Sequence, residues 1–198
     1  MKKTGLLGGT FNPIHNGHLK LAETARDAFS LDDVILIPNG FSYFKADILM
    51  PDAKTRFEMT EIAALGTDFL KVTDMETRRP GPSYTCDTLV ELKKNYPDTF
   101  FYFIIGGDSL LSIDSWRSPD IVFKNCTIAV TDRTGSDGLQ REAERLRAKY
   151  DADIRFFHMD RMEISSSQIR HMISEGLDVS GYLPSGVYDY IKYNSLYI

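Results

Sequence analysis

The sequence predicts an α/β fold: a doubly wound, mostly parallel sheet with helices on both faces. Three observations carry that expectation. Short apolar runs alternate along the chain with longer segments whose apolar residues recur at helical spacing. Several runs, such as Val34–Ile37 and Phe100–Ile105, are apolar at every position, the pattern of a strand covered on both faces. Glycine-bearing loops follow two of the runs, at Gly8-Gly9 and Gly106-Gly107, where open α/β sheets bind their ligands.

Thr4–Leu7 reads as the first strand. The loop Gly8 to His18 leads into a helix with Leu19, Ala22, Ala25 and Phe29 on one side. Val34–Ile37 is the second strand, stopped by Pro38-Asn39-Gly40. Phe41 to Met50 has no period and reads as a loop over the site. Pro51-Asp52 opens the next helix, with the proline early, where its missing N–H matters little. Phe57, Met59, Ile62, Ala63 and Leu65 form its apolar side, and Gly66 closes it.

Phe69–Val72 is a strand, and the turn-rich Arg78-Arg79-Pro80-Gly81-Pro82 leads to a helix over Ser83–Asn95 with Ser83 as N-cap. Phe100–Ile105 is the next strand, followed by a helical turn at Leu110–Ile113 and a small helix from Pro119 to Phe123. Cys126–Val130 and Ile154–Phe157 are strands flanking an amphipathic helix, Leu139–Tyr150. Ser165–Ile173 and Val187–Tyr193 are the last helices. No repeat or linker is visible. Residues 1–198 therefore read as one Rossmann-like domain, its carboxyl-terminal helices forming a small appended lobe.

The composition, 42% hydrophobic and 26% charged, is that of a globular protein rather than a disordered one. A net charge of −5 argues against a dedicated nucleic-acid binder. Cys86 and Cys126 form no C-x-x-C pair and no Cys/His metal spacing appears, so both read as free thiols in a reducing cytoplasm and no protein metal ligand is assigned. The amino terminus lacks the apolar run of a signal peptide, and no run approaches the length of a membrane span, so no membrane partner is expected.

The chemistry concentrates in Gly8-Gly9-Thr10-Phe11-Asn12-Pro13-Ile14-His15-Asn16-Gly17-His18. A strand, a glycine-bearing loop and a helix start make an anion site: free N–H groups and the positive end of the helix dipole face the loop. Two imidazoles there can donate to phosphate oxygens and, if protonated, partly neutralise them. A second such place is Ser165-Ser166-Ser167, a helix start with hydroxyls and Arg170 one turn on, suited to clamping a pyrophosphate. Gly106-Gly107-Asp108 suits a ribose contact, because the carboxylate accepts from hydroxyls while glycine admits a nucleotide; a metal role for Asp108 competes. His158 reads as a structural residue near a strand end and His171 as a helix-surface residue.

These residues resemble a known family. G-G-T-F-N-P-x-H-x-G-H is similar to the motif of the H-x-G-H nucleotidylyltransferases, in its nicotinate-nucleotide adenylyltransferase branch. Ile164-Ser165-Ser166-Ser167-Gln168-Ile169-Arg170 resembles the superfamily's I-S-S-T-x-I-R segment, with Ser167 in place of Thr. Ser83-Tyr84-Thr85-Cys86-Asp87-Thr88-Leu89 resembles the branch's S-Y-T-x-D-T-L. Lys45 and Arg56 follow the second strand at spacing similar to the family's Lys and Arg, with Tyr43-Phe44 where Pro-His is usual.

The resemblance implies adenylyl transfer from ATP to nicotinate mononucleotide, giving nicotinate adenine dinucleotide and pyrophosphate in NAD biosynthesis. It implies that His15, His18 and Arg170 are catalytic. ATP is expected at Gly8, Gly9, Thr10, Phe11, His15, His18, Gly106, Asp108, Ser165, Ser166 and Arg170. Nicotinate mononucleotide is expected at Lys45, Thr85, Trp116 and Arg133, with the pyridine ring stacked on Trp116. Mg²⁺ is expected to arrive bound mainly through ATP. Other readings stay open: a nicotinamide-mononucleotide or pantetheine-phosphate adenylyltransferase, a cytidylyltransferase on the same scaffold, or a non-catalytic nucleotide-binding regulator. Tyr188, Tyr190, Tyr193 and Tyr197 are a possible homo-oligomer surface.

Overall fold

The computed structural model describes residues 1–40, 50–132, 137–160, 162 and 164–198. The strands are β1 (Lys2–Gly9), β2 (Asp33–Pro38), β3 (Leu70–Val72), β4 (Thr99–Gly106), β5 (Thr127–Asp132) and β6 (Ile154–His158). The helices are α1 (Asn16–Phe29), α2 (Ala53–Ala64), α3 (Thr85–Asn95), α4 (Gly107–Ser112), α5 (Pro119–Asn125), α6 (Asp137–Tyr150), α7 (Ser166–Ser174) and α8 (Ser185–Tyr193). One turn of 3-10 helix, Ile113–Ser115, follows α4.

The strands form a six-stranded parallel sheet in the order β3-β2-β1-β4-β5-β6. The order reverses at β1, as in a Rossmann-like doubly wound sheet. β1 pairs with β4 (Leu6 opposite Phe103), β4 with β5 (Gly106 opposite Thr131) and β5 with β6 (Asp132 opposite His158). The fold class expected from alternating strands and helices is the one found.

Contacts group the chain into two compact units: Met1–Leu7, Ala22–Ile35 and Tyr84–Arg161, and Gly8–Leu21, Leu36–Ser83 and Met162–Ile198. In the first, Leu6, Leu7, Ile104, Ile105, Ile128, Ala129 and Val130 are buried strand residues. The helices bring Ala22 and Ala25, Leu89 and Leu92, and Leu139, Ala143 and Leu146, one buried stripe each. Each fully buried Leu, Ile or Val contributes about 1.5–3 kcal/mol. The buried carboxylate of Asp33 is matched by Thr4, whose hydroxyl donates to it at 2.6 Å, and by Lys2 Nζ at 2.6 Å. Paired in this way, it avoids the penalty of a bare buried charge.

The second unit holds α2, α7 and α8. Asp52 caps α2, accepting from Thr55 N–H at 2.7 Å, so Pro51 lies just before the cap rather than in the first turn. The buried stripe is Arg56, Met59, Thr60 and Ala63. Leu65, expected on the apolar side, is 76% exposed because the helix ends at Ala64, and Gly66 turns the chain away with φ +78°. Ser83 is likewise not the cap of α3. That helix starts at Thr85, so Tyr84 holds the cap position, while the Ser83 hydroxyl donates to Glu76 O at 3.5 Å.

Cys86 and Cys126 are free thiols and buried, and burial pushes the Cys126 thiol up to about 12. Among the described residues no helix is long and apolar enough to cross a membrane. The four carboxyl-terminal tyrosines are not one exposed set. Tyr193 is 90% exposed, but Tyr197 is buried and the Tyr190 hydroxyl donates to Glu58 at 2.5 Å.

Candidate active site

The loop from β1 to α1 lies in the second unit and is shaped by its smallest residues. Phe11 takes φ +47° and folds its ring back over Gly9, where a Cβ would stand 2.8 Å from the ring. Gly17 lies against the His15 imidazole, where a Cβ would stand 2.9 Å from two ring atoms. Glycine is thus required at Gly9 and Gly17 by close approach, not by backbone angle.

H-x-G-H here is a capping box built from imidazoles. His15 precedes the first helical residue, and its Nδ1 accepts from Gly17 N–H at 3.1 Å. His18, the third helical residue, accepts the His15 N–H on its own Nδ1 at 3.2 Å. The arrangement resembles a Ser-x-x-Glu box with imidazole nitrogens replacing the oxygens, except that the cap side chain takes the second helical N–H rather than the third. The spacing follows helix geometry: the His18 ring reaches the backbone N–H one turn back, while the His15 ring takes the N–H two residues on.

The remaining donors of this helix start are occupied as well. His18 N–H donates to His15 O at 2.9 Å, and Asn16 N–H to Tyr182 O at 2.9 Å. The expected bare helix tip is not found at α1. What it presents instead is imidazole. With Nδ1 of both rings accepting, each neutral ring carries its proton on Nε2, and no described residue takes that proton.

The rings lie with centroids 3.8 Å apart, and Phe11 meets His18 edge-on at 5.0 Å. Burial lowers His15 to about 4. Burial and the neighbouring His15 lower His18 to about 3. Both rings are therefore neutral at physiological pH before substrate binds. Neutral rings of this kind would act on an anion through donated hydrogen bonds rather than through charge, and a bound polyphosphate would raise both values.

The open helix tip belongs to α7. Ser165 is its N-cap and accepts from Gln168 N–H at 3.2 Å. No described residue accepts from the N–H groups of Ser166 and Ser167. The Ser166 hydroxyl donates to Pro13 O at 2.9 Å, and Arg170 Nη1 donates to Asn12 O at 2.8 Å. Arg170 Nη2 donates to Ser167 Oγ at 3.3 Å, leaving further N–H groups of the guanidinium for a ligand. The two motifs, far apart in sequence, thus meet: α7 grips the carbonyls of Asn12 and Pro13, just before His15.

Two further residues complete the loop's support: Arg56, matched by its spacing to the family's Arg but given no role, and Tyr197, expected only at an oligomer surface. Arg56 is 1% exposed and donates to Thr10 O (2.6 Å), Asn39 Oδ1 (3.1 Å), Asn39 O (2.8 Å), Gly40 O (2.8 Å) and Pro51 O (3.3 Å). Its signal was its place on the buried stripe of α2, where a charged residue needs a polar reason. Tyr197 donates its hydroxyl to Asn12 Oδ1 at 2.8 Å. No sequence pattern points to that contact. Thr10, an expected ATP residue, has its carbonyl on Arg56 and its hydroxyl accepting from Asn39 Nδ2 at 3.3 Å.

Gly106, Asp108, Thr85 and Trp116 lie in the first unit. Gly106 is the N-cap of α4 at the end of β4, and Asp108 is exposed in that helix's first turn. Thr85 is the first residue of α3. Trp116, half-buried, meets Phe103 edge-on at 6.1 Å. The Arg117 guanidinium stacks 4.5 Å over the Tyr84 ring, tying the segment bearing Trp116 to the one bearing Thr85. Lys45, Arg133 and all but Met50 of the loop expected over the site at Phe41–Met50 lie outside the described residues. His158, expected to be structural, has an exposed side chain 3.3 Å from Asp160.

Among the described residues no group of three or more His, Cys, Asp and Glu is placed to hold a metal ion. The donors around His15 and Arg170 are N–H groups, complementary to phosphate oxygens rather than to a cation.

The sequence pattern of the cytidylyltransferase-like family matches residues 6–172. A probable nicotinate-nucleotide adenylyltransferase of Lachnoclostridium phytofermentans is 40% identical, and one of Clostridium botulinum 36%, each over the full length of both chains. The structure is also similar to Plasmodium falciparum nicotinic acid mononucleotide adenylyltransferase complexed with NaAD, at 18% identity and TM-score 0.79, covering 100% of this chain and 98% of that one. That likeness speaks to the fold alone. The family follows from the first match and from the two full-length relatives: this chain belongs to the cytidylyltransferase-like family and, within it, to the nicotinate-nucleotide adenylyltransferases.

Proposed function

We infer that the chain transfers the adenylyl group of ATP to nicotinate mononucleotide, releasing pyrophosphate and forming nicotinate adenine dinucleotide. The observation that carries the reading is the stacked pair of neutral imidazoles, His15 buried and His18 partly so, with both Nε2–H groups uncommitted, on a chain that shares its full length with its relatives. The mononucleotide's phosphate oxygen attacks the α-phosphorus of ATP. The bond from that phosphorus to the bridging oxygen of the β-phosphate breaks, and its electron pair leaves on pyrophosphate.

The nucleophile is already ionised at neutral pH, so no general base is required of the protein. Its work is in-line placement and stabilisation of charge that moves onto the leaving group. In this reading Nε2–H of His15 and His18 donate to ATP phosphate oxygens. Arg170 and the α7 tip at Ser166 and Ser167 hold the β- and γ-phosphates, and Ser165 fixes that tip by capping it. Gly106 and Asp108 take the ribose. Thr85 and Trp116, joined through Arg117 and Tyr84, take the nicotinate mononucleotide, with Lys45 and Arg133 as further contacts. ATP enters as its magnesium complex, the ion supplying charge neutralisation on the phosphates.

A substrate panel tests the reading: pyrophosphate release from MgATP with nicotinate mononucleotide, nicotinamide mononucleotide or phosphopantetheine, and from MgCTP. Highest kcat/KM for the nicotinate substrate with ATP is expected. A higher value with any other pair would overturn the substrate assignment, and release with none would overturn the enzymatic one.

A further inference from the structure

The penultimate residue of the chain is buried in the loop that carries the histidines. Tyr197 is 5% exposed, although Ile198 beside it is 82% exposed, and it takes φ +68°, a backbone angle that favours glycine. Simple packing of a tail does not require such a conformation. Its hydroxyl donates to Asn12 Oδ1, while the carbonyl of the same Asn12 accepts from Arg170 Nη1. Burial pushes the phenol's pKa up, against the pull of Arg170 and Arg56, so it remains a donor throughout the neutral range.

We propose that Tyr197 is a positioning residue for adenylyl transfer: through Asn12 it fixes the loop whose next turn presents His15 and His18 to the phosphates. The proposal rests on the reading above. The chain of contacts runs from Tyr197 to Asn12, from Asn12 to Arg170, and through Pro13 and Ile14 to His15. Tyr197 touches no reacting atom in this scheme. Its effect is geometric, and a small displacement of the two Nε2–H groups weakens donors that matter most in the transition state.

The test compares wild type, Tyr197→Phe, Asn12→Ala and the double variant, by kcat, KM for both substrates and Tm. Tyr197→Phe keeps the ring and removes only the donor. It is expected to lower kcat about tenfold while KM for nicotinate mononucleotide stays within about twofold. The double variant is expected to be no slower than Asn12→Ala alone, because the effect passes through Asn12. Unchanged kcat with a lowered Tm would overturn the proposal, leaving Tyr197 a packing residue. A further tenfold loss in the Asn12→Ala background would overturn the route. Should Tyr197→Phe fail to fold, Asn12→Ala alone decides, and kcat within about twofold of wild type overturns the proposal. Wild-type turnover tests the enzymatic reading separately, since the inference is read only from ratios to wild type.

Discussion

Acidification should loosen this protein through its stacked imidazoles, and His18→Gln isolates that effect. In the folded chain His15 titrates at about 4 and His18 at about 3. In the unfolded chain both titrate near about 6.5. Between those limits the unfolded state binds more protons than the folded one, so stability falls as pH falls. Well above about pH 6.5 both rings are neutral in either state and contribute no slope.

Each buried imidazole then loses about 1.4 kcal/mol per pH unit, or about 2 kcal/mol between about pH 6.5 and about pH 5. The pair together loses about 4 kcal/mol, a large part of the 5–15 kcal/mol roughly available to a domain. Glutamine is the natural substitute at this third helical position, because its side-chain oxygen can accept the His15 N–H as a capping box requires. The variant keeps only the His15 contribution, about half the slope. Urea unfolding without substrate, followed by circular dichroism at a series of pH values, gives the difference directly. Groups common to both proteins cancel. Identical pH slopes in wild type and His18→Gln would refute the reasoning.

Three other outcomes follow from the geometry. Nitrogen-15 NMR of the substrate-free protein should find His15 and His18 as neutral Nε2–H tautomers, and an Nδ1–H signal for either would contradict the imidazole capping box. Arg56→Met should destabilise the chain by about 3–5 kcal/mol in urea unfolding, since the carbonyls of Thr10, Asn39, Gly40 and Pro51 lose a buried donor; a loss under about 1 kcal/mol would show that water replaces it. Thr85→Ala and Trp116→Ala should each raise KM for nicotinate mononucleotide more than KM for ATP, and equal increases would count against both assignments.

Much of this was legible in the sequence because it depends on local pattern. Val34–Ile37 and Phe100–Ile105 announce strands covered on both faces, and β2 and β4 lie there. The start of α7 could be read at Ser165-Ser166-Ser167 because helix starts follow from a few neighbouring residues, and Ser165 is its cap. The failures have physical reasons. Ser83 looks like a cap, but a β-type Tyr84 delays the helix by one residue. The α1 tip looks like a bare anion site, yet Asn16 N–H is taken by Tyr182, whose approach no local pattern encodes. Spacing singled out Arg56 but not its contacts, and no pattern singled out the contact of Tyr197, because both act through residues distant in the chain. The histidine motif itself was legible as chemistry, but its capping role needed the backbone.

Neutral imidazole donors at the start of α1 are expected to carry adenylyl transfer. The most direct measurement is kcat of His18→Ala for pyrophosphate release from MgATP and nicotinate mononucleotide, with Tm recorded alongside. Removing one preorganised donor to a developing oxyanion predicts a fall of about 10²–10³ in kcat with the fold retained. A variant that stays folded and turns over within about threefold of wild type would contradict the account.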